Sequence, residues 1–224
     1  MYFVEYKDIG LVEYKEAWDY QEQLHNKLLN ESETGTNHIG YFIICEHPHV
    51  YTLGKSGNVN NLLINENFLK SINATFYKTN RGGDITYHGP GQIVGYPIIN
   101  INKLQIGVKK YIYNIEELII KTLKEYNVNG IRLDKATGVW IINKDSKTAK
   151  KICAIGVRVS RGITMHGFAF NINTNLQYFN YIVPCGIKDK GVTSLSSELG
   201  KNIDINEVKN KLLKNFLEVF NLQI

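Results

Sequence analysis

The stretch Arg81-Gly82-Gly83-Asp84-Ile85-Thr86-Tyr87-His88-Gly89-Pro90-Gly91-Gln92, continuing as Ile93-Val94-Gly95-Tyr96-Pro97, decides how the chain is read. Four glycines, one proline, one arginine and one histidine fall within its first twelve residues. Such a run bends the backbone and lets it approach a ligand closely. Arg81 offers a fork of donors, and His88 can donate, accept or carry charge near neutral pH. Apolar segments flank it on both sides. Residues 75–78 read as a strand entering this loop and residues 93–101 as the strand that returns, so spacing alone gives a hairpin with a polar tip. Pro97 within the returning strand predicts an edge or a bulge, because proline cannot donate to a ladder.

Working outward, residues 1–11 predict a short strand and turn, and residues 13–30 a helix with Ala17, Tyr20, Leu24 and Leu28 at helical spacing. Residues 31–37 read as a polar linker. The run 38–46 is β-rich and apolar, a buried strand; Pro48 breaks it and residues 50–53 resume it. A short helix is expected around Phe68. Residues 108–126 predict a helix with Tyr111, Ile115, Leu118, Ile119 and Leu123 on its apolar side. Strands follow at 138–142, 151–159 and 166–172, with a polar turn at 143–147. Residues 205–220 predict a closing helix carrying Val208, Leu212, Phe216 and Val219. Helices separated by runs of strands, rather than alternating with them, give an α+β fold. The expectation is a mixed, largely antiparallel sheet flanked by helices. With 224 residues and no dividing linker, one domain spans the chain.

Composition excludes several classes. Lys+Arg 26 against Asp+Glu 21 leaves a net charge of +5, enough to favour acidic partners but without the basic concentration that marks a nucleic-acid binder. The three cysteines, Cys45, Cys153 and Cys185, have no CxxC spacing, which argues against a disulfide framework and against zinc. No metal and no other cofactor is called for. No run approaches the roughly 18 to 20 apolar residues a membrane span needs. The acidic N-terminal sequence reads as neither a signal nor a transit peptide, so a cytoplasmic protein is expected.

Three further places carry reactive groups. Pro184-Cys185-Gly186 sets a thiol on a turn, ahead of a segment rich in backbone and hydroxyl donors able to stabilise a thiolate or an oxyanion. An unremarkable loop cysteine fits the same residues. Lys151-Ile-Cys-Ala-Ile-Gly-Val-Arg-Val159 reads as a strand whose alternation sets Lys151, Cys153, Ile155 and Val157 on one face. A snorkelling lysine at a strand end fits Lys151 as it fits neighbouring Lys147 and Lys150, and the residues alone do not separate the three. Thr164-Met-His-Gly-Phe-Ala-Phe-Asn171 places small residues beside His166, which fits either a binding or a structural histidine. His47 and His49 flank Pro48 with no third ligand near, and read as hydrogen-bonded loop residues.

Taken together, and in this order along the chain, these motifs resemble the lipoyl(octanoyl) transferase family. They are Arg81 to Gln92, Lys151 to Val159 with Thr164 to Asn171, and Pro184-Cys-Gly-Ile187 with Val192-Thr-Ser-Leu195. Glu46-His-Pro-His-Val-Tyr-Thr-Leu-Gly54 and Thr137-Gly-Val-Trp140 also fit. The resemblance implies the biotin/lipoate protein ligase fold, as a single catalytic domain over 1–224 with its ligase-like core from about residue 38. It implies an octanoyltransferase using octanoyl-acyl carrier protein as donor and apo lipoyl domains as acceptors. Those acceptors would be 2-oxoacid dehydrogenase E2 subunits and the glycine cleavage H protein. Cys185 matches the nucleophile that holds the acyl group as a thioester. Lys151 matches the residue that lowers the thiol's pKa and moves protons. Arg81 to His88, Ala154-Ile155-Gly156 and Gly167-Phe168-Ala169 match the substrate-pocket lining. One departure is Cys153, where the family pattern usually has alanine. Alternation places its thiol on the Lys151 side, about 6 to 7 Å along the strand, as a packing residue that reshapes the acyl slot. The alternatives are an ATP-dependent lipoate or biotin protein ligase, a non-catalytic lipoyl-domain-binding module, and a thioesterase.

Overall fold

The structure, a computed structural model, describes residues 1–31, 36–142, 148–183 and 191–224. The strands are β1 (Tyr2–Leu11), β2 (His38–Glu46), β3 (Val50–Leu53), β4 (Thr75–Lys78), β5 (Ile85–His88), β6 (Gln92–Ile99), β7 (Ile131–Leu133), β8 (Ala136–Ile142), β9 (Ala149–Ser160), β10 (Ile163–Asn171), β11 (Gly191–Val192) and β12 (Leu222–Gln223). The helices are α1 (Tyr14–Glu31), α2 (Glu66–Ser71), α3 (Val108–Lys124), α4 (Leu195–Leu199) and α5 (Ile205–Phe220). The main sheet runs β12-β1-β2-β6-β10-β9-β8-β7, and β11 pairs with β9. A smaller sheet runs β4-β3-β5. The β2–β6–β10–β9–β8–β7 pairs are antiparallel, while β1 pairs in parallel with β2 and β12. The expected mixed, largely antiparallel sheet is therefore found.

Strand β2 explains why the sheet is covered on both faces. Every residue from His38 to Cys45 is buried. Its alternate side chains enter two separate cores. Ile39, Phe42 and Ile44 pack with α3 and α5, through Tyr111, Ile115, Leu118, Leu212 and Phe216 among others. Tyr41, Ile43 and Cys45 pack under α1 with Ala17, Leu24 and Leu28. The small sheet has its own core of Tyr51, Leu53, Ile85, Tyr87, Phe179 and Ile182. It lies on the α1 side of the main sheet, and the space between the two sheets is where the site forms.

The expected hairpin around Arg81 is not there. Residues 75–78 and 92–99 fall in different sheets, so they cannot pair. The glycine-rich stretch instead contains its own strand, β5, which pairs antiparallel with β3 from Val50↔His88 to Leu53↔Ile85. Pro97 lies in a central strand. It faces β2 in register (Phe42↔Pro97), while on its other side the ladder to β10 lapses between Phe168↔Gly95 and the bridge Asn100↔Ile163. Thr164 Oγ1 bridges this gap, donating to the Pro97 carbonyl at 2.7 Å and accepting from Ile99 N at 2.9 Å. His166, in the same gap, has φ +59°, a left-handed conformation uncommon for a residue other than glycine. The expected polar turn at 143–147 and most of the linker at 31–37 lie outside the described residues. No described helix is long and apolar enough to cross a membrane.

Candidate active site

A cavity of about 300 Å³ lies between the two sheets. Its small-sheet wall comes from Arg81, Gly83, Asp84, Ile85, Thr86 and His88. Its floor is a row across the main sheet, in which Ala154, Ala169 and Val94 are direct cross-strand neighbours on β9, β10 and β6. Lys151 lines one margin, with Thr137, Lys135 and Val192; Tyr14 and Tyr96 line it two strands away. Of the residues singled out from sequence, Ala154, Ile155, Gly156, Gly167, Phe168 and Ala169 all border the cavity. Ile155 and Phe168 do so while their side chains pack into the α3–α5 core. Gly82 and Tyr87 do not border it. Gly82 N instead donates to Val157 O at 2.9 Å, tying the loop to β9. Tyr87 points into the small sheet's core, where its hydroxyl meets His49 Nδ1 at 2.7 Å. Cys185, with Pro184, Gly186 and Ile187, lies outside the described residues.

Lys151 reaches the cavity because β9 is not regular. Its ladder to β8 pairs Trp140 with Lys151 but Val139 with Cys153, so Ile152 is an extra residue. Such a bulge shifts the alternation by one. Cys153 therefore does not share the Lys151 face, contrary to the expectation from strict alternation. It is fully buried with Ile152 in the α3–α5 core, outside the cavity lining, and burial pushes its thiol pKa up. Gly138, at φ +122° beside the bulge, donates its N–H to Glu116 Oε1 at 3.0 Å, and Glu116 Oε2 accepts from Arg132 Nε at 3.1 Å. The Lys151 ammonium sits 4.7 Å from the centre of the Trp140 ring. On the other edge of β9, Val192 pairs with Lys151, and Thr193 N donates to Lys151 O at 3.0 Å.

A directed hydrogen-bond chain joins the Arg81 motif to this region. Arg81 Nη2 donates to Thr52 O at 2.6 Å and Thr52 Oγ1 at 2.9 Å. Gln92 Nε2 donates to Tyr87 O and to Asn171 Oδ1 at 2.9 Å, and Asn171 Nδ2 donates to Thr193 O at 3.0 Å. With its amide so oriented, Gln92 Oε1 accepts from His88 Nδ1 at 2.9 Å. That leaves His88 Nε2 to accept from the Thr52 hydroxyl at 3.3 Å. His88 is held neutral to match. Burial, then the neighbouring His47 and Arg81 charges, drives its pKa well below the usual value. Burial, with Arg81 and Arg158 adding to it, brings His166 to about 3, and burial brings His47 to about 4. His166 Nε2 bonds Asn80 Oδ1 at 2.6 Å, and its backbone N–H donates to Gln21 of α1.

His47 and His49 are hydrogen-bonded, to Val12 O and Tyr96 hydroxyl and to Tyr87 hydroxyl respectively. Among the described residues no cluster of three metal-ligating side chains occurs. Reasoning from sequence missed Tyr14, although it continues the Ala17, Gln21, Leu24, Leu28 series of α1 one turn earlier. It also gave Gln92, Asn171 and Val94 no role of their own. The arrangement as a whole is a lysine at the rim of an apolar-floored slot, walled by a glycine-rich loop whose arginine is anchored.

Residues 13–217 match the family described as Lipoyl protein ligase A/B catalytic domain. An octanoyltransferase of Christiangramia forsetii is 53% identical over 228 residues, covering 99% of this chain and 97% of the relative. A crystal structure of lipoate-protein ligase A bound with ATP superposes with a TM-score of 0.74 at 13% identity, covering 99% of this chain and 87% of the other. A bi-partite lipoate protein ligase of Thermoplasma acidophilum, from a study that includes its E2 lipoyl domain, gives 0.72 at 13% identity, covering 100% and 86%.

Proposed function

The chain belongs to the lipoyl protein ligase A/B catalytic domain family and is an acyltransferase; from that premise we propose that it transfers octanoyl groups to lipoyl domains through a thioester on Cys185. The donor in this reading is octanoyl-acyl carrier protein. The acceptors are lysine amines of apo lipoyl domains, on 2-oxoacid dehydrogenase E2 subunits and the glycine cleavage H protein. The whole chain acts as one catalytic domain in the cytoplasm. The observation that supports it best is the slot itself, with Lys151 at one margin and the apolar row Val94, Ala169 and Ala154 as its floor. A lipoyl-domain acceptor accords with the ligase of the same fold studied with its E2 lipoyl domain.

The chemistry proceeds in two displacements. The Cys185 thiolate attacks the carrier's thioester carbonyl, backbone N–H groups hold the oxyanion, and the carrier leaves as its thiol, taking the proton from the Lys151 ammonium and leaving that amine neutral. The acceptor's lysine amine then attacks the acyl-enzyme. The Cys185 thiolate departs, and neutral Lys151 takes the proton that the new amide must shed. In the resting enzyme the Lys151 ammonium favours the thiolate. Thioester to thioester is nearly balanced and thioester to amide is downhill, so no nucleotide is consumed. Arg81, anchored on Thr52 and stacked over Gly156, stiffens the wall against which the substrate lies.

The test is intact mass after incubation with octanoyl-acyl carrier protein. Wild type should gain one octanoyl group and lose it to an added apo lipoyl domain, while Cys185→Ala should gain nothing. An ATP-dependent ligase is the second reading, favoured by the ATP-bound neighbour of the same fold. Acylation of the lipoyl domain only when ATP and free acid are supplied would establish that reading instead.

A further inference from the structure

We propose that Tyr14, stacked on His88 at the end of the slot away from Lys151, is the stop that sets the length of the acyl chain. This deepens the octanoyl-transfer reading and rests on it. The floor row Ala154–Ala169–Val94 crosses two strand spacings, about 10 Å in all. An extended eight-carbon chain spans a similar distance, since seven C–C bonds of about 1.5 Å zigzag to roughly 9 Å. All three floor side chains are small and apolar, so nothing along the row halts a chain lying on it. What stands at the β6 end is the pair Tyr14 and Tyr96, both lining the cavity.

The Tyr14 ring is held in place. It stacks on His88 with centroids 5.8 Å apart and planes at 11°, and on Tyr77 at 5.6 Å. The His47 ring meets it edge-on at 5.3 Å. It is 2% exposed. A ring clamped between others cannot swing aside to admit further methylenes, and its rotamer entropy is already lost. Tyr14 comes from α1, outside the β-rich motifs, so the gauge and the chemistry sit on different elements.

The experiment is calorimetric binding of saturated free fatty acids from six to fourteen carbons, run beside transfer from the matching acyl carrier protein thioesters. Wild type should prefer eight carbons. Tyr14→Leu should move the optimum to ten or twelve, raising the twelve-to-eight affinity ratio at least tenfold. Ala169→Leu, which fills the floor, should move it to six. A folded Tyr14→Leu with the wild-type ratio overturns the proposal. Should Tyr14→Leu fail to fold, an unshifted optimum in Ala169→Leu overturns it equally. Length-dependent binding by wild type without transfer from any thioester rejects the octanoyltransferase reading and leaves the gauge standing.

Discussion

Lys151 and Cys153 stand two residues apart in one strand yet face opposite sides of the sheet, because the extra residue Ile152 lies between them while their partners Trp140 and Val139 are consecutive. One residue of insertion thus separates a lysine at the rim of the slot from a thiol sealed in the core. It also lets Lys151 and Ala154, three positions apart, border the same cavity.

The first prediction concerns the two thiols. Cys153→Ala should form the acyl-enzyme at the wild-type rate and lose about 1 kcal/mol of stability, the cost of a small core cavity. Cys185→Ala should fold normally and form none. Intact mass and denaturant midpoints read both; acylation that survives Cys185→Ala but not Cys153→Ala would reverse the roles.

Gly156 is predicted to resist even a methyl group. A Cβ there would lie 2.9 Å from Gly82 O and 3.2 Å from Arg81 Cδ and Nη1. Gly156→Ala must therefore push the Arg81 loop off β9, where Gly82 N holds Val157 O. Expected are a loss of about 1–3 kcal/mol and a drop in kcat/KM. Unchanged melting and turnover would show that the loop yields at no cost.

Glu116→Ala should loosen the bulge. It removes the acceptor of Gly138 N and leaves Arg132 Nε without that partner, at a cost of about 1–3 kcal/mol. Because Gly138 adjoins the displaced register, acyl transfer should fall more than stability alone explains. Proportional loss of both would place the effect in folding only.

Acid should destabilise the fold from the histidine side. His47, His88 and His166 are all held neutral in the folded state, at about 4, well below the usual value, and at about 3. Unfolded, each titrates near 6.5. Between those limits the unfolded chain binds more protons, so stability rises with pH across the window and falls as pH drops from 6.5 toward 4. Well inside it each histidine contributes roughly 1.4 kcal/mol per pH unit. Urea midpoints at pH 5 and pH 7.5 measure the slope, which His47→Gln should lower by about a third. A flat profile would mean these rings protonate in place.

Much of the architecture is legible in the chain. The continuous apolar run of β2 marks a strand covered on both faces, and α3 and α5 carry their apolar stripes at helical spacing. Of the small residues in the motifs, Gly83, Ala154, Gly156, Gly167 and Ala169 border the cavity between the sheets. What escaped is local. A one-residue bulge leaves composition and periodicity almost untouched, so the side of Cys153 was misread. Strand β5 is four residues long and buried among turn-forming glycines. Tyr14 lies at the first turn of its helix, ahead of the series that identified α1.

Pro97 and His166 have a further consequence, for how the chain finds its own pairing. Pro97 has no N–H to give, and His166 on the facing strand gives its own to Gln21 Oε1 while staying in register with Val157 of β9. Neither has an N–H that pairing between β6 and β10 must satisfy, so the lapse between them strands no donor. Sliding β10 along β6 by two residues would preserve every side chain's face, so burial alone cannot veto that mistake. It would, however, set a donor-less proline against a residue that needs its bond. The mismatched pair works as a key cut into the centre of the sheet, so that a slipped assembly is penalised before the slot between the sheets has formed.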